Sequence, residues 1–555
     1  MKLYNNIVLP SNWPPEYQEH TLDQPLPADY RNNWPSIVNI TVGRQLFVDD
    51  FLIAGTNLKR VFHQPKLLDH PVFVPETPLE MNGGLYPCAC PFSDGVFYDD
   101  TDRKFKMWYQ AGWFDGVGYA ESDDGIHWRR LSEIDPARGT DNVLPRKPNA
   151  LRDGSAVWID YGADDPGEKY KMMVFYRLFD HQVKHYGEMP KHFHDVPGSI
   201  PPQEKIKLFA SANGIDWVDK GEAGHGGDNS TFFYNPFRKK WIFSLRTFSR
   251  LDSRIRTRGY YETDDFFRKS QWEDKEVRFW ARTDIHDAPD PDLGYYTQLY
   301  NLEATPYESL MLGVFGVFMG PPNPVCEKKK TPKIIDLKLA FSRDGFHWAR
   351  PTYDNFISSS REPGTWNYGY AHIANGVCLV VNNELYFYVS FFSGTSPRLG
   401  SHEYAGGSVG LARLRRDGFA SLRDDGKGGF VTTKLLEFDG DRLYVNANAR
   451  NGKLLAEILD EQEHVIQGYS RDDCTPLSAD GTREPLTWGG RTLKPLAGRR
   501  IRIRFLLENA ELYSFWITDH PEGRSRGYMA AGGPNFHLGR DMDGSDRDSG
   551  RLLGG

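Results

Sequence analysis

The chain has 555 residues, enough for more than one hydrophobic core, and its 14% aromatic content with 54 glycines and 36 prolines suits a protein of strands and turns. A formal charge of -8, dispersed along the chain, excludes a basic nucleic-acid-binding face and favours solubility over a specific cationic partner. No stretch reaches the roughly 20 apolar residues that span a bilayer, so no membrane partner is expected.

From Met1 the chain runs into a polar, proline-rich stretch with no apolar segment of the signal-peptide kind. A cytoplasmic location is the expectation, or an extracellular one if a leader precedes the sequence given. Residues 1–45 read as an irregular arm. Residues 46–53 read as the first strand, which either closes a ring against the last sheet or pairs with a C-terminal domain. The five cysteines (Cys88, Cys90, Cys326, Cys378, Cys474) are odd in number and lack metal-ligand spacing. Reduced, buried thiols are expected, with no metal and no cofactor.

A short phrase then keeps returning. Ser122-Asp123-Asp124-Gly125-Ile126-His127-Trp128 recurs as Ser211-Ala212-Asn213-Gly214-Ile215-Asp216-Trp217 and as Ser342-Arg343-Asp344-Gly345-Phe346-His347-Trp348. Thr263-Asp264-Asp265-Phe266 with Trp272 is a looser copy, and Arg415-Arg416-Asp417-Gly418-Phe419 has lost its tryptophan. Asp-Gly or Asn-Gly makes a tight turn between antiparallel strands, and the Trp beyond packs on a neighbour. Before each phrase lies a strand–turn–strand pair, such as Val96-Phe97-Tyr98 turning into Phe105-Lys106-Met107-Trp108-Tyr109. The fourth pair is expected to turn near Pro306. Two strands from each pair and two around each phrase make a four-stranded blade, so the reading is all-β: a five-bladed β-propeller over 46–425.

Two insertions interrupt the pattern. Residues 177–206 carry His181, His185, His192 and His194 at spacings that match no ligand motif, and read as a solvated rim loop. Residues 321–332, with Lys328-Lys329-Lys330, read as another. From 430 to 530 the strands space like a β-sandwich, and the run Ile501-Arg502-Ile503-Arg504-Phe505 alternates as a half-buried strand should. The Gly- and Asp-rich residues 531–555 read as a flexible tail.

In a propeller the innermost strand of each blade begins at one mouth of the central channel, so side chains just before those strands converge there. Asp153 lies four residues before Val157, and Asp228 four before Phe232. Two successive blades thus offer a carboxylate at one register. An acid in a pre-strand turn is also ordinary turn chemistry.

With these motifs the chain resembles the five-bladed β-propeller glycoside hydrolases, the broad group of fructofuranosidases, α-L-arabinofuranosidases and β-xylosidases, and within it an uncharacterised bacterial subgroup. The turn phrases, the aromatic hairpins and the trailing sandwich carry the resemblance over roughly 45–520. It implies three carboxylates from the first three blades: a nucleophile or base, a transition-state stabiliser, and a general acid. Arg152-Asp153-Gly154 resembles the Arg-Asp-Pro motif of the stabiliser, with Gly for Pro, and Asp228 falls where the general acid, usually Glu, would come. In the first blade the register position is Phe92; Glu80, in a Pro-x-Glu like that of relatives, is preferred over Asp94, which sits in a good turn of its own. Asp94, Arg152, Tyr296, Gln298, Trp366 and His372 are the substrate-binding candidates, although Trp and Tyr are also common blade packing.

The implied activity is hydrolysis of a terminal glycosidic bond in an oligosaccharide, polysaccharide or small glycoside, with a furanoside of fructosyl or arabinosyl type expected. An oligomer is compatible with the sequence. Two other readings compete. A sialidase is suggested by the likeness of the turn phrase to an Asp-box, against which no cluster of three arginines is evident. A non-catalytic glycan-binding propeller is suggested by the missing first-blade acid.

Overall fold

The computed structural model describes residues 1–22, 24–26, 34–144, 147–183 and 202–544. It is nearly all-β. The α-helices among the described residues are short, at Pro78–Met81, Leu131–Ile134 and Asn323–Lys329, and none is long and apolar enough to cross a membrane.

Five antiparallel sheets follow one another in chain order. Sheet I joins Ala89–Asp99, Lys104–Ala111, Gly116–Ser122 and Asn142–Leu144. Sheet II joins Ala150–Ile159, Tyr170–Leu178, Gln203–Ser211 and Val218–Glu222. Sheet III joins Thr231–Asn235, Lys240–Phe248, Arg256–Thr263 and Arg278–Ala281. Sheet IV joins Gln298–Glu308, Leu310–Gly320 and Ile334–Ser342, and sheet V joins Gly369–Ile373, Glu384–Phe392 and Gly407–Arg415. The sheet IV hairpin turns at Glu308 and Ser309, past Pro306, which pairs with Met311 inside the ladder. Where first strands come together, buried Asn375 donates from Nδ2 to the carbonyls of Val157 (2.9 Å) and Phe232 (3.1 Å), and its main-chain carbonyl accepts from the Val96 amide (3.3 Å). One residue, through its side chain and its main-chain carbonyl, thereby ties the sheet V segment to sheets II, III and I.

The turn phrases bolt each sheet to its neighbour. In the first, Asp124 Oδ1 accepts from the amides of Ile126 and His127 (both 2.8 Å), Ser122 Oγ accepts from the Gly125 amide (2.9 Å), and Gly125 sits at φ +76. Tyr388 of sheet V donates to the Gly125 carbonyl (2.7 Å), and a Cβ at Gly125 would come within 2.6 Å of that hydroxyl. Trp108 of sheet I likewise donates to Gly214 (2.7 Å), and Trp280 of sheet III to Phe346 (2.7 Å).

Residues 46–53 do not close the ring. The acids Asp49 and Asp50 break the run, with Asp49 accepting from the Phe51 amide (3.1 Å) and pairing with Arg343 (3.0 Å). The flanks go to two C-terminal sheets: Gln45–Leu46 pairs with Glu511–Thr518, and Ile53–Thr56 with Gly429–Thr433. The short strand Lys66–Leu67 instead completes sheet V, on Gly407–Arg415. The C-terminal sheets are Lys59–Phe62, Ala420–Arg423, Glu511–Thr518, Arg442–Asn448 and Asp480–Leu486, facing Ile53–Thr56, Gly429–Thr433, Arg502–Glu508 and Lys453–Leu459. They enclose their own core, and the expected alternation holds, with Ile503, Phe505 and Leu507 buried between half-exposed Arg502, Arg504 and Leu506.

Other differences are local. Residues 1–22 are irregular but anchored by buried Leu3, Ile7 and Leu9. Helix Asn323–Lys329 replaces the expected loop, with Cys326 inward and Lys328, Lys329 and Lys330 in solvent. The expected flexible tail is packed as far as it is described. Tyr528–Met529 pairs with sheet IV, the Tyr98 amide donates to the Ala531 carbonyl (2.8 Å), and Asp541 is fully buried. All five cysteines are free and buried. His181 pairs with Asp180, whereas His185, His192 and His194 lie outside the described residues.

Candidate active site

At the entrances of the first strands the ladders slip, at Cys90/Gly95, Arg152/Ser155, Leu299/Asn301 and Gly369/His372. Positive-φ residues stand at these entrances: Phe92 (54°), Gly154 (105°), Asn229 (55°) and Tyr370 (59°). Such a residue kinks the strand and re-aims the side chain before it. In sheets II and III that preceding residue is Asp153 and Asp228. In sheet I it is Pro91, so the first-sheet register falls one residue before Phe92 and carries no acid.

Asp153 and Asp228 meet on one guanidinium. Asp153 Oδ2 accepts from Arg177 Nε (2.8 Å) and Nη2 (2.6 Å), and Asp228 Oδ2 accepts from the same Nη2 (3.3 Å). Asp228 Oδ1 also pairs with Arg246 Nε (2.6 Å), which lies flat over Gly227; a Cβ there would sit 2.1 Å from that nitrogen. The two acids are held differently. Burial pushes the Asp153 carboxyl up to about 7 despite Arg177, and the negative charge of Asp228 adds to the rise. Burial acts on Asp228 too, but Arg246, Arg177, Arg256 and Lys333 together hold it down to about 2. Below about pH 7 the pair therefore holds one exchangeable proton, on Asp153, whose Oδ1 has no hydrogen-bond partner among the described residues.

Around the pair stand Tyr370 and Tyr300, hydroxyl to hydroxyl at 2.6 Å. Burial raises the Tyr370 phenol, and Tyr300, Asp228 and Asp153 add to the rise, so Tyr370 lies in the field of both acids. Trp113 stacks on Tyr404 (4.5 Å between centroids) and edges onto Phe92.

The remaining predicted site residues are distributed unevenly. Glu80 is not at the pair. It is the third residue of helix Pro78–Met81 and caps it, Oε2 accepting from the amides of Glu76 (2.8 Å) and Thr77 (2.9 Å). Oε1 accepts from Tyr109 (2.8 Å) and Arg130 Nε (2.8 Å), so this fully buried carboxylate has no oxygen left for a substrate. Asp94 and Arg152 form a buried unit of their own, with Arg152 Nη1 3.3 Å from Asp94 Oδ1, Ser155 donating to that oxygen, and Arg152 Nη2 on the Gly116 carbonyl (3.0 Å). Burial lifts Asp94 to about 6 against the pull of Arg152, and its Oδ2 is buried without a partner. Arg152 therefore orients Asp94 and not Asp153.

His372 lies deeper on the axis, stacked on Phe92 (4.1 Å), its Nε2 3.2 Å from Asn301 Nδ2. Burial lowers it to about 3, so it is neutral. Beside it Glu303, which sequence reasoning missed, is raised by burial to about 7 and takes Asn301 Nδ2 at 2.9 Å. Gln298 accepts from Arg256 Nη1 (3.0 Å) and fixes it. Two candidates do not reach the acid pair. Tyr296 is 44% exposed, with its hydroxyl 3.4 Å from the Leu22 carbonyl, and Trp366 packs on Phe391 and donates to the Asp69 carbonyl (2.9 Å). A cleft of about 450 Å³ lies elsewhere, near the hairpin turns of sheets II and III, lined by Asp160, Lys171, Trp241 and Tyr528, and shares no residue with the acid pair.

Sequence reasoning also missed Arg177, Arg246, Arg256 and Lys333. Hairpin register could have found the first two: counting back from each turn puts Arg177 opposite Leu151 and carries Arg246 past Ser244, which faces Thr231. The structure thus assembles Arg177, Arg246 and Arg256 around Asp228, where the sequence showed no arginine cluster.

No family model matches the chain, and no curated protein matches it significantly. Several solved structures are similar in part. An N-acetylgalactosamine deacetylase from F. plautii, in complex with blood group B trisaccharide, is 12% identical at a TM-score of 0.42, covering 64% of this chain and 96% of that one. A thermostable family-43 glycoside hydrolase is 10% identical at 0.38, covering 61% and 96%. An exo-beta-1,3-galactanase from Phanerochaete chrysosporium is 8% identical at 0.34, covering 78% and 99%. At these scores neither fold nor activity follows for this chain.

Proposed function

We propose that this protein is a glycoside hydrolase: the five sheets are the blades of a β-propeller, the C-terminal sheets a β-sandwich, and Asp153 and Asp228 cleave a terminal glycosidic bond at the channel mouth. The observation that carries this reading is the pair itself, two carboxylates on one guanidinium with pKa values driven to opposite sides. Asp153, protonated, gives its proton to the leaving oxygen while an Asp228 oxygen bonds to the anomeric carbon. Asp153 then takes a proton from water, whose oxygen replaces Asp228 at that carbon. Both Oδ2 atoms accept from one nitrogen, so they lie no more than about 6 Å apart, which supports the retaining route over the wider inverting one. These roles differ from those implied by the family resemblance, in which Asp153 is the stabiliser and Asp228 the acid. The furanoside preference rests on that resemblance alone, as the cytoplasmic location rests on the N-terminal sequence.

The test is a panel of aryl and natural furanosides and pyranosides, read for sugar release and, by NMR, for the first-formed anomer. Release with retained configuration is expected. Sugar bound at the mouth with no release from any glycoside would replace the enzyme by a glycan-binding propeller.

A further inference from the structure

The mouth carries more positive charge than its own acids answer, and we infer that the sugar it takes is anionic, bearing a carboxylate or a sulfate ester; this rests on the hydrolase reading of the same site. Arg177 bonds Asp153 and is answered by Glu204, and Arg246 is answered by Asp228. Among the described residues, Arg256 and Lys333 have no carboxylate within salt-bridge distance. The side chain of Arg256 bonds to the neutral amide of Gln298, and Arg246 keeps both Nη atoms unbonded. Lys333 is 2% exposed. Its Nζ lies 3.4 Å from the Tyr300 hydroxyl and stands over the rings of Tyr300, Tyr370 and Tyr404 at 5.4, 4.9 and 4.9 Å.

Aromatic faces attract an ammonium but do not neutralise it, and buried charges are ordinarily paired. Arg256 shares the same ring, with Cζ 5.5 Å from the Tyr300 centroid, and both cations act on Asp228. Glu403 and Lys333 both act on the Cys326 thiol. Sheet III therefore contributes Arg246 and Arg256, and the approach to Ile334–Ser342 contributes Lys333, to one cationic lip beside the acid pair. An anionic group on the sugar gives the guanidiniums a two-point acceptor and Lys333 a counter-charge at salt-bridge distance.

Matched aryl glycosides test this: a glucuronide, a galacturonide and a 6-sulfogalactoside against the neutral glucoside and galactoside. The kcat/KM for one anionic class is expected to exceed that of its neutral partner at least about tenfold, and Arg256→Gln to cut that advantage to about unity. Lys333→Met, with its fold checked by circular dichroism, is the second variant and should shrink the same ratio. Equal or better turnover of the neutral sugars by the unmodified protein would overturn the inference and leave the hydrolase reading standing. If nothing is turned over, calorimetry with glucuronate, glucose 6-sulfate and glucose decides. Tighter binding of an acid, lost in Arg256→Gln, would keep the inference while the hydrolase reading falls; equal binding or none would overturn it.

Discussion

Two buried clusters of charge look alike in composition and differ in closure. Where the five-sheet unit meets the C-terminal sheets, Arg44 bonds Asp417 (2.9 Å), and Arg416 bonds both Glu308 (2.7 Å) and Asp541 (2.7 Å). Tyr307 and Ser514 (both 2.6 Å) and Asn446 (3.1 Å) also donate to Asp417, and Arg44 lies on the Trp516 ring at 4.0 Å. None of the five charged side chains is more than 3% exposed. At the acid pair, Asp153 and Asp228 are 7% and 23% exposed, and Lys333, beside the Tyr300 hydroxyl and three rings, has no carboxylate within salt-bridge distance among the described residues. A cluster that answers itself holds two units together. One with a titrating carboxyl and cations beyond its own salt bridges is arranged for chemistry.

The largest expected effect separates the clusters through chemistry. Asp228→Asn should lower kcat/KM by at least about a thousandfold on every glycoside, because the ionised carboxylate is needed whatever departs. Asp153→Asn should do the same for alkyl leaving groups but cost less than about tenfold for a dinitrophenyl glycoside, whose oxygen needs no proton. Equal losses on both substrates would unseat the role assignment. The pH profile sharpens it: the acid must be protonated, so turnover should fall about tenfold per unit above pH 7, as Asp153 titrates, and stay level in acid until Asp228 titrates near 2. A rate rising through pH 7 would give Asp153 the base's role.

How far the sequence reaches follows from which interactions are local. The turn phrases were legible because their bonds span two or three residues, as from Asp124 Oδ1 to the His127 amide, and counting them located sheets I to V. Asp153 and Asp228 were legible as a register before two strands. Glu80 misled because its motif, a Thr77 cap followed by Pro78 and a third-position Glu, is itself a complete local structure, a capping box. Arg177 and Lys333 were hidden, since their partners come from other strands and other sheets. Residues 46–53 show a third limit: the run looked like one strand, yet its acid pair turned it, and its halves serve two sheets.

The stability experiments should move in opposite directions at the two clusters. Asp417 is pulled by burial upward and by Arg44 and Arg416 further down, to about 2, below its ordinary 3.8. Its contribution is thus present above about pH 4 and lost as pH falls through 2. Asp417→Asn leaves two buried guanidiniums short of a counter-charge and should cost about 3 kcal/mol at pH 7, read as a lower Tm, with turnover per folded molecule unchanged. Asp153 has the reverse sign: its folded pKa of about 7 lies above 3.8, so the stability it allows declines as pH rises from about 4 to 7. Asp153→Asn should therefore leave Tm at pH 8 unchanged or raise it.

Glu80→Gln is the smallest and most direct break in the comparison, because it tests whether the first sheet contributes an acid at all. Gln keeps an acceptor for the Thr77 amide but loses the charge that Arg130 answers through Nε (2.8 Å) and Nη2 (3.0 Å). With Arg130 still bonded to Glu76 Oε2 (2.8 Å) and the Val74 carbonyl (2.7 Å), the cost should be about 2 kcal/mol, below that of Asp417→Asn. The kcat of the folded variant should stay within about twofold, since every Glu80 oxygen faces its own helix, Tyr109 or Arg130. A thousandfold loss of kcat with an unchanged Tm would instead move Glu80 to the mouth, and with it the three-carboxylate arrangement that Pro91 at the first-sheet register argues against.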